Sequence, residues 1–453
     1  MNVVVTGGSG QLGTEVLWRL AQCRKVKRVL SLDRRPPSVA SAKLEWRIAD
    51  VRDRDFGKHL EGATALVHMA FIVTQGAARS LMEDVNVEGT KNVVNAALAA
   101  NVGTLVYSSS AAAYGIVPGH PQPIVETTPR RRTPDMPYAE NKYDVEAWLD
   151  EVEAAHSELR IVRLRPVVLV GTRMEHAMGR MLARRVVPVI DSVPMPIVWD
   201  GDVADAVVLA LLGQVRGAFN LSADDALTAA ELARAGGMRA VRVPRVAARA
   251  VALAASVSKR LGRQPEVDPS WLRAAGVPLE LSSERARTEL GWKPTCPTAA
   301  DVVRRFAELT PGRMDRRIRL FFGGAQRAVR YAPRDRGDAA HMTLTAHLQL
   351  TGPGGGDITV GIDAGRPRVA FGTPRPPDTV ISLSARTFLD LLAGKTDLAT
   401  AQFSGKVKTR GEPGGGFALA AMVTLFRNAT RKKGGPGWAA RRLASWFERG
   451  ATT

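Results

Sequence analysis

The chain has 453 residues, 45% of them hydrophobic and 24% charged, with a formal net charge of +19. That length exceeds one compact domain and predicts two or three units of ordinary soluble composition. Two cysteines far apart, Cys23 and Cys296, exclude a disulfide framework or a zinc cluster and suit a reducing, cytoplasmic compartment.

The opening "MNVVVTGGSG" enters a strand at once, with no basic leader or cleavage site. The first half then alternates short apolar runs with helical patterns: "RVLSLD", "LEWRIAD", "TALVHMA", "TLVYSSS" and "LRIVRLRP". Strands spaced by helices predict a Rossmann-type, doubly wound parallel sheet with right-handed crossovers, an α/β fold. From about residue 172 the pattern loosens into a small substrate lobe, and this first unit closes at Gly312. Within the lobe, "VPRVAARAVALAASVSKRLG" reads as an apolar helix punctuated by arginine, suited to a half-buried face or to a lipid surface. Residues 313–339 read as a basic connector. The stretch 340–430 reads as a separate α+β domain, in which "HMTLTAHLQL" alternates like a half-buried strand. Residues 431–453 form a basic tail. No apolar run approaches the ~18 residues of a spanning helix. The basic clusters lack the spacing of any nucleic-acid motif. They predict solvated faces and weak attraction to an anionic membrane surface, with no specific nucleic-acid partner.

"VVVTGGSGQLG" places Gly7, Gly10 and Gly13 at the junction of a strand and a helix. Gly7 permits the tight turn, Gly10 lets backbone approach a pyrophosphate, and Gly13 lets helix and strand pack closely. The helix start, with Gln11 and Leu12, offers free N–H groups to phosphate. Asp33, twenty residues beyond Gly13, suits the ribose hydroxyls of NAD, while Arg34 and Arg35 after it are compatible with NADP.

"TLVYSSSAAAYG" runs a strand into three serines, where sites in doubly wound sheets gather. Further on, "PYAENKYDVEAWL" sets Tyr138 and Lys142 four apart on one helix face. A free phenol titrates near ~10, too high for a base at neutral pH, and a neighbouring cation favours its ionised form. That is the arrangement for removing a hydroxyl proton while hydride leaves the same carbon. His68 reads as structural. Asp200, Asp202 and Asp205 read as a helix-capping turn, and no residue set has metal-ligand spacing.

The chain to Gly312 resembles the extended short-chain dehydrogenase/reductase family, which includes epimerases, dehydratases and 3β-hydroxysteroid dehydrogenases. The matching pieces are "TGGSGQLG", "ADVRD", "VHMAF", "NVEGTKN", "YSSSAAAYG", "YAENK", "LRPVVLVG" and "ARTELGWKP". The resemblance implies an NAD(P)-dependent oxidoreductase or epimerase, often dimeric, with Tyr138 as acid/base. Lys142 would lower the tyrosine pKa and hold the nicotinamide ribose, and Ser110 would hydrogen-bond the reacting oxygen. Asp50 and Val51 would flank the adenine; Met69, Ala70, Phe71 and Asn86 would lie along the cofactor, with Pro166 near the nicotinamide. The dehydratases of the family carry Asp-Glu where this chain has Ala111 and Ala112, so dehydration is disfavoured. "RPVVLVG" is similar to the steroid-dehydrogenase branch.

The C-terminal "TVISLSARTFLDLLAGKTDLATAQFSGKVKTRGEPGGGFALAAMVTLF" resembles the sterol carrier protein lipid-binding domain, with Glu412 where that family commonly has Asp. Phe388, Leu391, Leu392, Phe417, Met422 and Phe426 then line a lipid tunnel or fill a solid core. Three functions remain open. One is hydride transfer on a lipophilic alcohol or ketone, such as a hydroxysteroid, that the C-terminal domain holds or delivers. The others are a nucleotide-sugar epimerase with retained NAD and a non-enzymatic lipid carrier whose cofactor domain senses redox state.

Overall fold

The apolar runs of the first half form β1 (Asn2–Thr6), β2 (Arg28–Asp33), β3 (Leu44–Ile48), β4 (Ala65–His68), β5 (Thr104–Ser108) and β6 (Arg160–Pro166). The structure, a computed structural model, describes residues 1–73, 77–171, 186–189, 193–242, 276–309, 315–330, 343–352, 355–363, 366–372 and 378–411. After β6 come β7 (Val168–Val170), β8 (Val186–Val189), β9 (Met195–Trp199), β10 (Gly217–Leu221), β11 (Ala226–Leu227) and β12 (Arg239–Arg242). Seven strands build one parallel sheet in the order β10-β6-β5-β4-β1-β2-β3. Strand order reverses between β1 and β4, and ligands of such sheets bind beyond the carboxyl ends at that crevice. The strands β11-β9-β7 and β12-β8 make two small sheets beside it.

Alternation along the strands divides the core into two layers. Val3 and Val5 face one side with Val16, Leu17 and Leu20 of α1 (Gln11–Gln22), and Val4 faces the other. A short α2 (Arg79–Glu83) leads through a wide turn, Asp84–Glu88, into α3 (Gly89–Ala99). Helix α3 and α4 (Pro137–Ala155) supply Val93, Val94, Ala97, Val145 and Leu149 to the second layer. Helix α5 (Asp200–Leu212) joins α1 on the first, through Val203, Ala206, Val207 and Ala210.

The chain divides into two compact units, Met1–Phe306 and Ala307–Thr453. The second contains β13 (Thr343–Thr351), β14 (Gly356–Asp363), β15 (Arg366–Phe371), β16 (Thr379–Ser384) and β17 (Val407–Gly411), in the order β15-β14-β13-β16-β17. Ala346, Leu348 and Leu350 of β13 are buried, as the alternation predicts. Helix Ala385–Ala393 covers that face with Phe388, Leu391 and Leu392.

The expected basic connector differs from the structure. Residues Arg316–Arg330 form a helix whose Ile318, Phe321 and Phe322 are buried in the second core. Those positions follow i, i+3, i+4 spacing, an apolar stripe that the surrounding arginines mask in a composition reading. Phe322 stacks on Phe388 with centroids 5.4 Å apart at 17°, and Phe321 meets the same ring edge-on at 5.8 Å. The lobe helix expected over 243–262, and Glu412, Phe417, Met422 and Phe426, lie outside the described residues. Phe322→Ala is expected to lower the unfolding free energy of the second unit by about 3–5 kcal/mol, the cost of a large cavity. Urea unfolding of the full chain checks this; a mere spacer helix predicts no change.

Candidate active site

The glycine turn is made by backbone crowding. Gly7 has φ +73°, and a Cβ there would stand 2.6 Å from the Ala70 nitrogen. A Cβ on Gly13 would come within 2.1 Å of the Gly7 carbonyl oxygen. Both positions therefore exclude any side chain, and β1, the loop after β4 and α1 converge because of it. Gly10 is roomier, its nearest obstruction being the Gly7 oxygen at 3.3 Å. It is the N-cap of α1 and supplies no side-chain cap, so the first-turn N–H groups remain available to an anion. The Gln11 side chain is turned to Asp200 at 3.1 Å, and Leu12 is buried in the first core layer. What these two residues offer a phosphate is their backbone. Asp33 closes β2 with its carboxylate against the turn, accepting the Ser9 N–H at 3.0 Å. Arg34 and Arg35 are exposed beside it. This cradle fits a dinucleotide.

Asp50 and Val51, expected to flank the adenine, and Asn86, expected along the cofactor, are all engaged within the chain. Arg52 hydrogen-bonds Asp50, with Nε 2.9 Å from Oδ1, and holds its carboxyl below the usual range. Val51 is buried against Gly89, where a Cβ would lie 2.6 Å from Val51 Cγ2. Asn86 is fully buried; its Oδ1 accepts the Ile72 N–H at 2.6 Å and its Nδ2 donates to the Ile72 carbonyl and to Asn141. It clamps the loop carrying Met69, Ala70 and Phe71 to α4. Met69 and Ala70 donate their N–H groups to the Thr6 hydroxyl at the end of β1.

His68 is structural, as expected. It bridges the hydroxyls of Thr6 and Thr90, and burial, followed by the charge of Lys142, lowers its pKa to about 3. Asp202 also acts structurally, accepting the N–H of Thr295 at 2.8 Å and of Cys296 at 3.0 Å, and Asp205 pairs with Arg19 at 2.6 Å. Both sit on α5, whose first turn carries Asp200 and Asp202 where the helix dipole favours acids.

Ser110, Tyr138 and Lys142 come together. The Ser110 hydroxyl caps a short turn by accepting the Ala112 N–H at 3.2 Å, and it hydrogen-bonds the Tyr138 phenol. Lys142, 2% exposed, donates to the Ser108 carbonyl at 2.7 Å and to the Tyr107 hydroxyl at 3.1 Å. Its Nζ lies 3.5 Å from the centre of the Phe71 ring, which also meets Tyr138 edge-on at 5.7 Å. Pro166 ends β6, buried and in register with Leu221.

Residues 3–221 match the NAD dependent epimerase/dehydratase family, and residues 327–423 match the SCP-2 sterol transfer family. The chain joins an NAD dependent epimerase/dehydratase domain to an SCP-2 domain. It is similar to sterol demethylase protein B of Methylococcus capsulatus, 29% identical over 68% of this chain and 99% of that protein. It is also similar to UDP-glucose 4-epimerase of Yersinia pestis, 31% identical over 40% of this chain and 56% of that one. Its fold is that of WbmG from Bordetella bronchiseptica, solved with NAD, at TM-score 0.53 and 21% identity over 68% of this chain and 93% of that one.

The electrostatics of the epimerase/dehydratase domain differ from expectation at one point. Burial raises the Tyr138 pKa, and the Ser110 hydrogen bond opposes that. Burial also drives Lys142 well below its usual value, with Glu146 working against this. The ammonium donates to the Tyr107 hydroxyl and the Ser108 carbonyl.

Glu146 is the functional-site neighbour that the sequence reading missed. It lies one turn beyond Lys142, fully buried, between Arg165 at 2.8 Å, Arg130 at 2.8 Å and the Ser109 hydroxyl. Burial disfavours its charge, but Arg165, Arg163 and Ser109 outweigh that and hold the carboxyl down at about 2. The signal was present in "RIVRLRP": three arginines in a central strand demand buried partners.

Both shifted groups lend stability at neutral pH. His68 stays neutral while its unfolded counterpart protonates, so its contribution is present above pH 6.5 and lost as pH falls towards 3. That of Glu146 is present above pH 4.5 and lost as pH falls towards 2. The urea midpoint of the first unit is therefore expected to decline from about pH 6.5 downward and to steepen below about 4.5. A midpoint unchanged from neutrality to pH 4 contradicts the assignment for His68.

Proposed function

We propose that the epimerase/dehydratase domain moves a hydride between NAD(P) and the carbinol carbon of a lipophilic alcohol, of which a hydroxysteroid is the model case. The SCP-2 domain holds or delivers that substrate, and tethering raises its local concentration. The observation that carries this reading is the Ser110–Tyr138 hydrogen bond, one helical turn ahead of a buried Lys142 and on the same sheet as the glycine cradle. The likeness to sterol demethylase protein B along nearly its whole length supports a sterol-like substrate.

Bound NAD supplies the hydride acceptor and a positively charged ring. Tyr138 takes the hydroxyl proton in oxidation and returns it in reduction. Ser110, already on the phenol, orients the reacting oxygen and lowers the tyrosine pKa. Lys142 would hold the ribose hydroxyls, while Phe71 and Tyr138 would make an apolar wall that keeps water from the reacting carbon. Because burial keeps the phenol protonated, the resting site is poised as an acid, and oxidation speeds up as pH rises. Ala111 and Ala112 provide neither acid nor base for dehydration.

The 31% identity to a UDP-glucose 4-epimerase favours a second reading, in which hydride leaves and returns to the same sugar carbon. Hydroxysteroids and UDP-glucose, each followed by reduced-cofactor absorbance and by product analysis, separate the two. Net cofactor reduction supports the dehydrogenase; sugar turnover without it supports the epimerase. Tyr138→Phe is expected to lose about 10²–10⁴-fold in rate, the usual share of general acid–base catalysis. Ser110→Ala is expected to move the acid limb of the oxidation profile to higher pH. A Tyr138→Phe variant with native turnover defeats the mechanism, and a native chain that turns over neither substrate leaves the lipid-carrier reading.

A further inference from the structure

We propose that Ser109 and Glu146 are a positioning pair, which holds the peptide carrying Ser110 against the helix carrying Tyr138 and Lys142 and so aligns both of those side chains. Three consecutive serines meet three residues spaced by four along α4. The Ser110 hydroxyl bonds the Tyr138 phenol, the Ser108 carbonyl accepts from Lys142 at 2.7 Å, and the Ser109 hydroxyl donates to Glu146. That spacing puts Tyr138, Lys142 and Glu146 on one helix face. The first two contacts involve the groups assigned to the chemistry. The third lies behind them, with Ser109 3% exposed and Glu146 fully buried.

The peptide needs such an anchor at this point. Strand β5 pairs with β4 as far as Tyr107 and with β6 as far as Ser108, and the short turn capped by Ser110 begins at Ala111. Between ladder and turn lies Ser109, whose N–H folds back to the Tyr107 carbonyl at 3.1 Å and whose hydroxyl is tied to Glu146. Glu146 gives that hydroxyl a fixed target. Its Oε1 also accepts from Arg165 Nε at 2.8 Å, and its Oε2 accepts from Arg130 at 2.8 Å and from Arg165 Nη2. With both oxygens gripped, the carboxylate cannot swing, and a hydrogen bond to a charged acceptor is about twice as strong as a neutral one. The charge of Glu146 is already answered by Arg165, Arg130 and Arg163, so what the Ser109 bond adds is direction. Ser108 and Ser110 each stand one peptide from Ser109, and a shift there passes to both. A misplacement of about 1 Å at a reacting group can cost about 10²-fold in rate.

This inference rests on the hydride-transfer reading of the site, in which Lys142 holds the ribose and Tyr138 moves the proton. The test is Ser109→Ala in the full chain, which removes one hydroxyl and leaves Glu146 with its arginines. The variant is expected to unfold cooperatively and to bind NAD at least ~5-fold more weakly by calorimetry, because the acceptor of Lys142 is released. With NAD saturating and a hydroxysteroid as substrate, kcat is expected to fall at least ~10-fold at unchanged KM, and the acid limb to move to higher pH. Ser109→Cys, close in volume and a weak donor, is expected to follow Ser109→Ala and separates the lost hydrogen bond from a packing defect. Variants with a lowered Tm but the native NAD dissociation constant and the native acid limb make the pair merely structural and overturn the proposal. If the native chain oxidises no alcohol, the calorimetric comparison decides alone. Lys142→Met in the same calorimetry separates the two failures: native affinity in that variant removes the hydride-transfer reading, whereas weakened Lys142→Met beside native Ser109→Ala removes only the positioning pair.

Discussion

The site depends on an ammonium that has been taken out of water. Lys142 retains 2% of its exposure, a position that disfavours its charge unless the protein supplies partners. The carbonyl of Ser108 and the hydroxyl of Tyr107 fix its direction, and the Phe71 ring lies over it. One turn along the same helix, the negative charge of Glu146 counters the burial. Glu146 is itself tolerable only because Arg165 and Arg130 face it. The polar interior therefore forms a chain of dependence from β6 through α4 to the crevice beside Ser110 and Tyr138. Removing an inner member would strand the next one unpaired, which costs more than the pair itself contributes.

This explains the peculiar composition of β6. Every residue from Arg160 to Pro166 is buried, yet three are arginines. Arg160 caps the carbonyls of Ala210 and Leu211 at the end of α5, Arg163 reaches Asp150 and Glu153, and Arg165 serves Glu146 and Tyr114. One strand thus ties both helical layers to the sheet, and it leaves Ser110 and Tyr138 on a scaffold that has little freedom to drift. The SCP-2 domain uses a different economy: its core joins helix Arg316–Arg330 to the sheet through stacked phenylalanines.

Much of this was readable in the sequence because the decisive features are local. The glycine turn, Asp33 and the Tyr138–Lys142 pair follow from spacing alone, since a turn and a helix face set those geometries within a few residues. The strands of the sheet were equally plain as short apolar runs between helical patterns. What stayed hidden needs pairing across long separations. Asn86 belongs to the loop at Ile72 and to Asn141, and Asp50 belongs to Arg52 and only then to any cofactor. The helix Arg316–Arg330 was masked because its arginines dominate composition while its three buried apolar residues do the packing. The direction of the Tyr138 pKa was missed for another reason: spacing puts a lysine near a phenol but does not show how deeply that phenol is buried.

The most direct measurement is the calorimetric dissociation constant for NAD, compared between the native chain and Lys142→Met, a substitution of similar volume that removes the charge from a buried place. If the ammonium holds the ribose, binding weakens by at least ~10-fold, in keeping with a lost hydrogen bond to a charged group. Equal affinity in the two proteins, both folded, contradicts the account.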